Sequence, residues 1–511
     1  MESFLGEVAA DLYARYGEEL SQRAVLFPSR RARLFFTDAL ARIARRPMWQ
    51  PSWTTIDELM SEISGLRTGD RLRLITELYG IYSEYHAEPF DKFYFWGDML
   101  LADFDTIDKY RIDAAMLFRN IEEIREIEAD ISYLTPAQLR IVAFWSSLGA
   151  EADLSEEKRR FLAIWRTLGP VYRRFRERLS ELGIAYGGMV QRAAADRLRS
   201  GEFAFSTPRR FVVAGFNALS ECEKELFRFL SSAAETDFYW DYDSYYKDDP
   251  EQEAGMFVRE NVVRFPPRAE LSHDGMSRPK ELTSVAAVSN AVQCKYVATI
   301  LRGLAAGGRL GKETAVVLTD ENLLLPLLCA MPTEVGPVNV TMGYPLRASL
   351  AYTFVERLVE LQARRRTKGA DCTFYHADVT GLLAHPYVAG CDAELTRRLQ
   401  EEIMRERRIS VEASWLGRND LLRLVFSPAA GWRALSAWLS EVVAAVVRIP
   451  CPDDDARRRT EFLAVIAGEI ARLGNSLDEC GIEPAPEVYA SLLRRHLQTL
   501  RIPYEGEPLE G

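Results

Sequence analysis

Ala24-Val-Leu-Phe-Pro-Ser-Arg-Arg-Ala-Arg-Leu-Phe-Phe36 sets an apolar run, a Pro/Ser/Arg break and a helical pattern in immediate succession. Ala24 to Phe27 reads as a buried strand. Leu34, Phe35, Ala39, Leu40 and Ile43 place one apolar stripe on the helix that follows. In a nucleotide-binding α/β fold this first turn cradles phosphate, because glycines let backbone N–H groups close around it and a lysine neutralises it. Here the turn is Pro28-Ser29-Arg30-Arg31, without glycine and without Gly-Lys-Ser/Thr. Nothing in it can wrap a triphosphate. The arginines either meet phosphate of another kind or form an ordinary solvated loop.

With 511 residues, 48% of them hydrophobic, the chain has material for three or four domains. The formal net charge of −11 disfavours general adhesion to nucleic acid or to an acidic membrane, so such binding needs a local basic groove. Charge is segregated: Arg23 to Arg46 holds seven arginines against Asp38 alone, and Arg159 to Arg210 is also basic. Asp98 to Asp130 and Asp237 to Glu253 are acidic. The seven cysteines form no C-x-x-C pair and the five histidines sit apart from them, so no zinc, iron–sulfur or disulfide framework is expected. That usage suits a reducing cytoplasm. No secretory leader or 18-residue apolar run occurs, so no membrane association is expected.

Along the chain, Phe4, Leu5, Val8, Leu12 and Tyr16 mark an opening helix, and Thr54 or Thr55 can cap a helix beginning near Ile56. From about 68 to 200 the pattern is helix after helix, including 114–127, 135–145 and an arginine-rich helix 156–182, with no fixed repeat. Phe211-Val-Val-Ala214 returns to strand and ends in Gly215-Phe216-Asn217, which supplies no carboxylate where a motor would hold magnesium. Asp241 and Asp243 lie close together beyond the next apolar run but are not expected to bind metal. After a Pro-rich bridge, 282–288, 314–319 and 338–341 read as strands alternating with helices, which predicts a second parallel sheet. Gly311-Lys312-Glu313 fails as a phosphate loop, since Glu313 stands where Ser or Thr must meet magnesium. From Ala351 to about 500 the chain is again helical.

Five stretches, Phe27 to Phe36, Trp53 to Glu58, Phe93 to Tyr110, Val213 to Leu219 and Asn339 to Leu346, together resemble the helicase-like part of AddB/RecC-type proteins of the PD-(D/E)XK nuclease family. The resemblance implies two RecA-like α/β units, the second incomplete, each carrying a large all-α insertion. Residues 1–65 with 205–260 would form the first unit and 66–204 its insertion, with 261–279 as linker. Residues 280–350 would begin the second unit, 351–505 its insertion, and 506–511 a truncated tail. It also implies a longer parent protein, an exodeoxyribonuclease using magnesium in a nuclease domain that this stretch does not contain. Neither ATPase nor nuclease activity, and no cofactor, is expected of these residues themselves.

The expected function is that of a DNA-binding scaffold in a bacterial helicase–nuclease that processes double-strand ends for homologous recombination. Its partners would be single-stranded or forked DNA and an AddA/RecB-like helicase subunit. On the stretches that carry the resemblance, Ser29, Arg30, Arg31, Arg33, Thr54, Thr55, Trp96, Asn217, Thr341 and Tyr344 are the residues expected to meet DNA. Tyr94, Phe95 and Trp96 either stack on unpaired bases or fill a core. The alternatives are an ATP-driven motor, which lacks a recognisable nucleotide site, and a module that docks the motor subunit without touching DNA.

Overall fold

The computed structural model describes residues 3–119, 156–205, 210–269, 271, 274–311, 314–368, 371–449 and 453–503. The expected helix at 135–145, and the expected helix 114–127 beyond Arg119, lie outside them. The chain is helix-dominated, with a parallel sheet near its N-terminus.

The sheet has four strands, β1 Arg23–Phe27, β2 Ser52–Thr55, β5 Arg210–Ala214 and β6 Glu235–Tyr239, in the order β2-β1-β5-β6. All pairings are parallel, with Val25 opposite Trp53 and Val212, and Val213 opposite Phe238. Alternation sorts its residues. Val25, Phe27, Val212, Ala214 and Tyr239 face helices α1 (Phe4–Tyr16) and α2 (Arg30–Ile43). Leu26, Phe211, Val213 and Phe238 face α3 (Ile56–Ser64) and the helix Glu221–Ala233. On α2 the inward positions are Phe36 and Leu40, whereas Phe35 is exposed. Ala39, Leu40 and Ile43 of the expected stripe thus pack on the sheet, while Phe36 takes the inward place expected of Phe35 and meets Phe27 with ring centroids 5.6 Å apart.

At the amino edge of the sheet, buried Arg23 reaches Glu235 Oε1 at 2.5 Å and Asp237 Oδ2 at 3.4 Å, with its guanidinium 3.6 Å from the Tyr16 ring centroid. The ion pair holds the Glu235 carboxyl below its ordinary range. Arg23 thus joins the first strand to the last.

The helical insertion follows β2. Two-residue strands β3 (Arg67–Thr68) and β4 (Ile184–Ala185) pair in parallel at its base. Between them lie α4 (Arg71–Tyr82), α5 (Phe90–Lys109), α6 (Ala114–Arg119) and α7 (Glu156–Glu181), and α8 (Gly187–Ser200) follows β4. Some arginines of the basic stretch 159–210 are taken up by partners within the fold, while Arg166, Arg173 and Arg199 among others are exposed. Arg176 and Arg192 flank buried Asp108, Arg178 reaches Glu77, and Arg197 donates to the Ile63 carbonyl.

Beyond β6 the expected linker is partly structured. Trp240 Nε1 donates to the Phe265 carbonyl over 2.9 Å, and the Phe265 ring stacks on Phe238. Residues through 265 thus pack into the first unit. Asp243 accepts the Tyr245 and Met276 amides at 2.9 and 2.8 Å.

The second parallel sheet does not form among the described residues. The segments 282–288, 314–319 and 338–341 lie outside any strand, while the helices Asn290–Ala306 and Leu324–Ala330 form as read. A buried-strand pattern becomes a ladder only where neighbouring strands satisfy its backbone, and no described strand lies beside these segments. Leu282, Val288 and Val317 are consequently 88%, 94% and 84% exposed. The next described strand in the chain, Tyr344–Pro345, pairs antiparallel with Arg501–Ile502 and not with these segments.

The last region is helical, as expected, but also contains an antiparallel sheet of Arg366–Lys368, Asp371–Tyr375 and Ser410–Glu412 that the helical patterns concealed. Its long helices Asp453–Glu479 and Pro486–Thr499 pack back on α4 and α5 of the insertion, where Arg495 donates to the Asp91 carbonyl over 2.9 Å, and Trp432–Val447 packs in turn on Asp453–Glu479 and Pro486–Thr499. One continuous hydrophobic core consequently runs from Leu26 to Ile502. No described helix is long and apolar enough to cross a membrane.

Candidate nucleic-acid interface

From β1 the chain steps outward to β2, and later returns to β5 on the other side of β1. The carboxyl ends of β1 and β5 therefore flank a topological switch point, the place where open α/β sheets bind ligands. Two loops meet there. Pro28 and Ser29 leave β1, and Gly215 to Asn217 leave β5. Gly215 has φ +84°, and a Cβ built on it would lie 3.7 Å from Pro28 Cδ. Glycine is required for the backbone angle, not for space.

Ser29 is the N-cap of α2 with extended backbone (φ −149°, ψ 155°), and its side chain makes no capping bond. The first turn of α2 contains no acid and instead carries Arg30 and Arg31, both exposed. Cations here oppose the helix dipole, whose positive end and free N–H groups favour an anion. Glu58 supplies one from the first turn of α3: Arg30 Nη2 and Nε lie 2.6 and 3.1 Å from its Oε1. Glu58 also closes a capping box on α3, accepting the Thr55 amide at 3.0 Å while its own amide donates to Thr55 Oγ1 at 3.3 Å. The Thr55 amide, and then Arg30, hold the Glu58 carboxyl below the ordinary carboxylate range.

Arg33 stacks on Trp53, its guanidinium carbon 4.1 Å from the ring centroid. Arg31 lies more loosely over Phe35, at 5.8 Å. Asn217 is exposed, and its carbonyl accepts a 2.6 Å bond from Asn261 Nδ2 on the helix Met256–Arg264.

Of the residues expected to meet DNA, Ser29, Arg30, Arg31, Arg33, Thr55 and Asn217 thus lie on loops and helix ends at the carboxyl edge of one sheet. Thr54 is half-buried on β2, its hydroxyl donating to the Thr55 carbonyl. Trp96 lies elsewhere, edge-on to Tyr82 and Phe93 at 5.3 and 5.8 Å, within the packing of the insertion. Tyr94 faces the C-terminal helices, 3.4 Å from His496 Nδ1, and only Phe95 of that trio is exposed. Thr341 is exposed, and Tyr344 stacks on Phe462 at 5.2 Å. The sequence reading missed Glu58 as the counter-charge of Arg30 and Asn261 as the clamp of the second loop. The Thr55-x-x-Glu58 spacing is a legible capping signal; Asn261 left none.

Among the described residues no group of three His, Cys, Asp or Glu side chains could hold a metal ion. The chain matches no family model and no curated protein.

Proposed function

We propose that this chain is a helicase-like scaffold that grips DNA without hydrolysing nucleotide, within a helicase–nuclease that processes double-strand ends for recombinational repair. The observation that carries the reading is the switch-point crevice. Its helix N-terminus and two exposed arginines suit phosphate, but its turn offers no glycine loop and no lysine. In this reading the DNA backbone takes the position that a nucleotide occupies in a motor, and Arg33 on Trp53 extends the cationic edge towards β2. Residues 280–350 would be the first part of a second motor-like unit.

The test is binding of labelled single-stranded and forked oligonucleotides to wild type and to the R30A/R31A variant between about 50 and 200 mM salt. Loss of two phosphate contacts lowers affinity and flattens the slope of log K against log salt by about 1.4 to 1.8. Equal binding by both proteins, or saturable binding of Mg-ATP at Ser29 with hydrolysis, would overturn the reading.

A second reading, docking of an AddA/RecB-like motor subunit without DNA contact, is favoured by the apolar exposure at Leu282, Val288 and Val317. It is favoured outright if Ser substitution at those positions abolishes association with such a subunit while the wild-type chain binds no oligonucleotide.

A further inference from the structure

The basic run Arg23 to Arg46 is not a single surface. Arg23 is buried against Glu235 and Asp237, Arg30 is paired with Glu58, Arg33 is stacked on Trp53, and Arg42 is bridged to Asp38 at 2.9 Å. Arg31, Arg45 and Arg46 remain, all exposed and without an ion pair among the described residues. Arg31 lies over Phe35 in the first turn of α2, which leaves Arg45 and Arg46 at its far end.

These two arginines sit where α2 ends, in the loop that leads to Ser52. Ser52 pairs with Ala24, so this loop lies at the amino ends of the strands, across the sheet from the switch-point crevice. The loop is held in place. The Arg45 amide donates to the Tyr13 hydroxyl over 3.1 Å, and Pro47 and Pro51 restrict its backbone. Beside it lies an open surface depression of about 460 Å³, lined by Leu40, Ala41, Ala44, Pro47 and Met48, by Thr37 and Gln50, and by Arg45 and Arg46 themselves. That volume is within the roughly 300–1,000 Å³ of small-ligand sites. Trp49, between the lining residues Met48 and Gln50 in the chain, is 86% exposed, an unusual position for the largest side chain.

We infer that this depression is a binding site for one unpaired nucleotide of a single strand. The requirements of such a ligand match the parts in order. A base needs an apolar slot for its faces and an amide or hydroxyl for its edge, which the alanine, proline and methionine walls, Gln50 and Thr37 supply. The attached phosphate needs unpaired cations beside the slot, and Arg45 and Arg46 are such cations. The adjoining base needs a flat apolar platform, and Trp49 presents one to solvent. A duplex keeps its bases stacked and paired, so only a single strand delivers a base to the slot. The inference does not rest on the crevice reading, because the two sites occupy opposite edges of the sheet.

The probe is a fluorescein-labelled oligothymidylate of about a dozen nucleotides, compared by anisotropy with an abasic phosphodiester of the same length and with oligoglutamate of the same charge. Base contacts make the wild-type protein bind oligothymidylate at least about five-fold more tightly than the abasic strand. R45A/R46A weakens binding of both. W49A and A41F, which fills the depression, weaken only oligothymidylate, removing the preference while leaving abasic binding in place. R30A/R31A leaves the preference intact, which separates this site from the crevice. All these positions are exposed, and thermal unfolding verifies that each variant folds. Equal affinity for the abasic strand, a preference for oligoglutamate, or no binding by the wild type would overturn the inference.

Discussion

Asn261 Nδ2 donates to the Asn217 carbonyl over 2.6 Å, so a side chain only 1% exposed fixes the loop that leaves β5 at the switch point. Burial makes this bond consequential, because truncating the Asn261 side chain leaves the Asn217 carbonyl without this partner. Asn261→Ala is therefore expected to destabilise the chain by about 1–3 kcal/mol. Chemical denaturation would show it, and an unchanged midpoint would mean that water replaces the amide.

Glu58 competes with any phosphate for Arg30. Glu58→Gln keeps the shape of the capping box but removes the anion. Single-strand affinity should rise several-fold in oligonucleotide titrations, and the salt slope should steepen by up to about 0.9. Unchanged affinity would place Arg30 outside the interface.

Asp108 is fully buried in the insertion and accepts the hydroxyls of Tyr172, at 2.5 Å, and Tyr186, with Arg192 3.2 Å away and Arg176 at 3.5 Å. Burial, and then Asp108, push the Tyr172 hydroxyl up to about 12, so it stays a donor. Asp108→Asn leaves the two guanidiniums facing a neutral group. The expected cost is about 3–5 kcal/mol in equilibrium unfolding, as for other buried pairs broken on one side.

His385 is buried, and desolvation, then Arg357, lower its pKa to about 4. Its Nδ1 accepts the Tyr387 amide at 3.3 Å, which fixes the neutral ring as the capping form. The unfolded chain binds the proton near pH 6.5 and the folded chain only near 4, so the stability from neutral His385 is complete above 6.5. It declines as pH falls, by up to about 3 kcal/mol at pH 4. His385→Asn retains a capping oxygen and should flatten that part of the stability–pH curve relative to wild type. Parallel curves for the two proteins between pH 4 and 7 would refute the assignment.

Leu282, Val288 and Val317 pack against little, so replacing all three by Ser should change unfolding stability by no more than about 0.5 kcal/mol per site. The same change should reduce self-association in sedimentation, since exposed apolar surface of this kind drives contact between chains.

Local chemistry made much of this fold legible from residues alone. The apolar run at 24–27, the run at 211–214 and the Thr55-x-x-Glu58 cap each carry their structure in neighbouring side chains, and each forms where the sequence places it. The missing glycine and lysine at Pro28 to Arg31 were equally plain. The tertiary structure decided what lies far apart in the chain. It set β5 against β1, brought Gly215 beside Pro28, gave Arg30 to Glu58, and packed Trp96 partly into the insertion while leaving Trp49 in solvent. Periodicity reports that a residue wants burial, but not which partner provides it. For that reason the same kind of apolar run became a central strand at 211–214 and an exposed segment at 282–288, which no strand among the described residues completes.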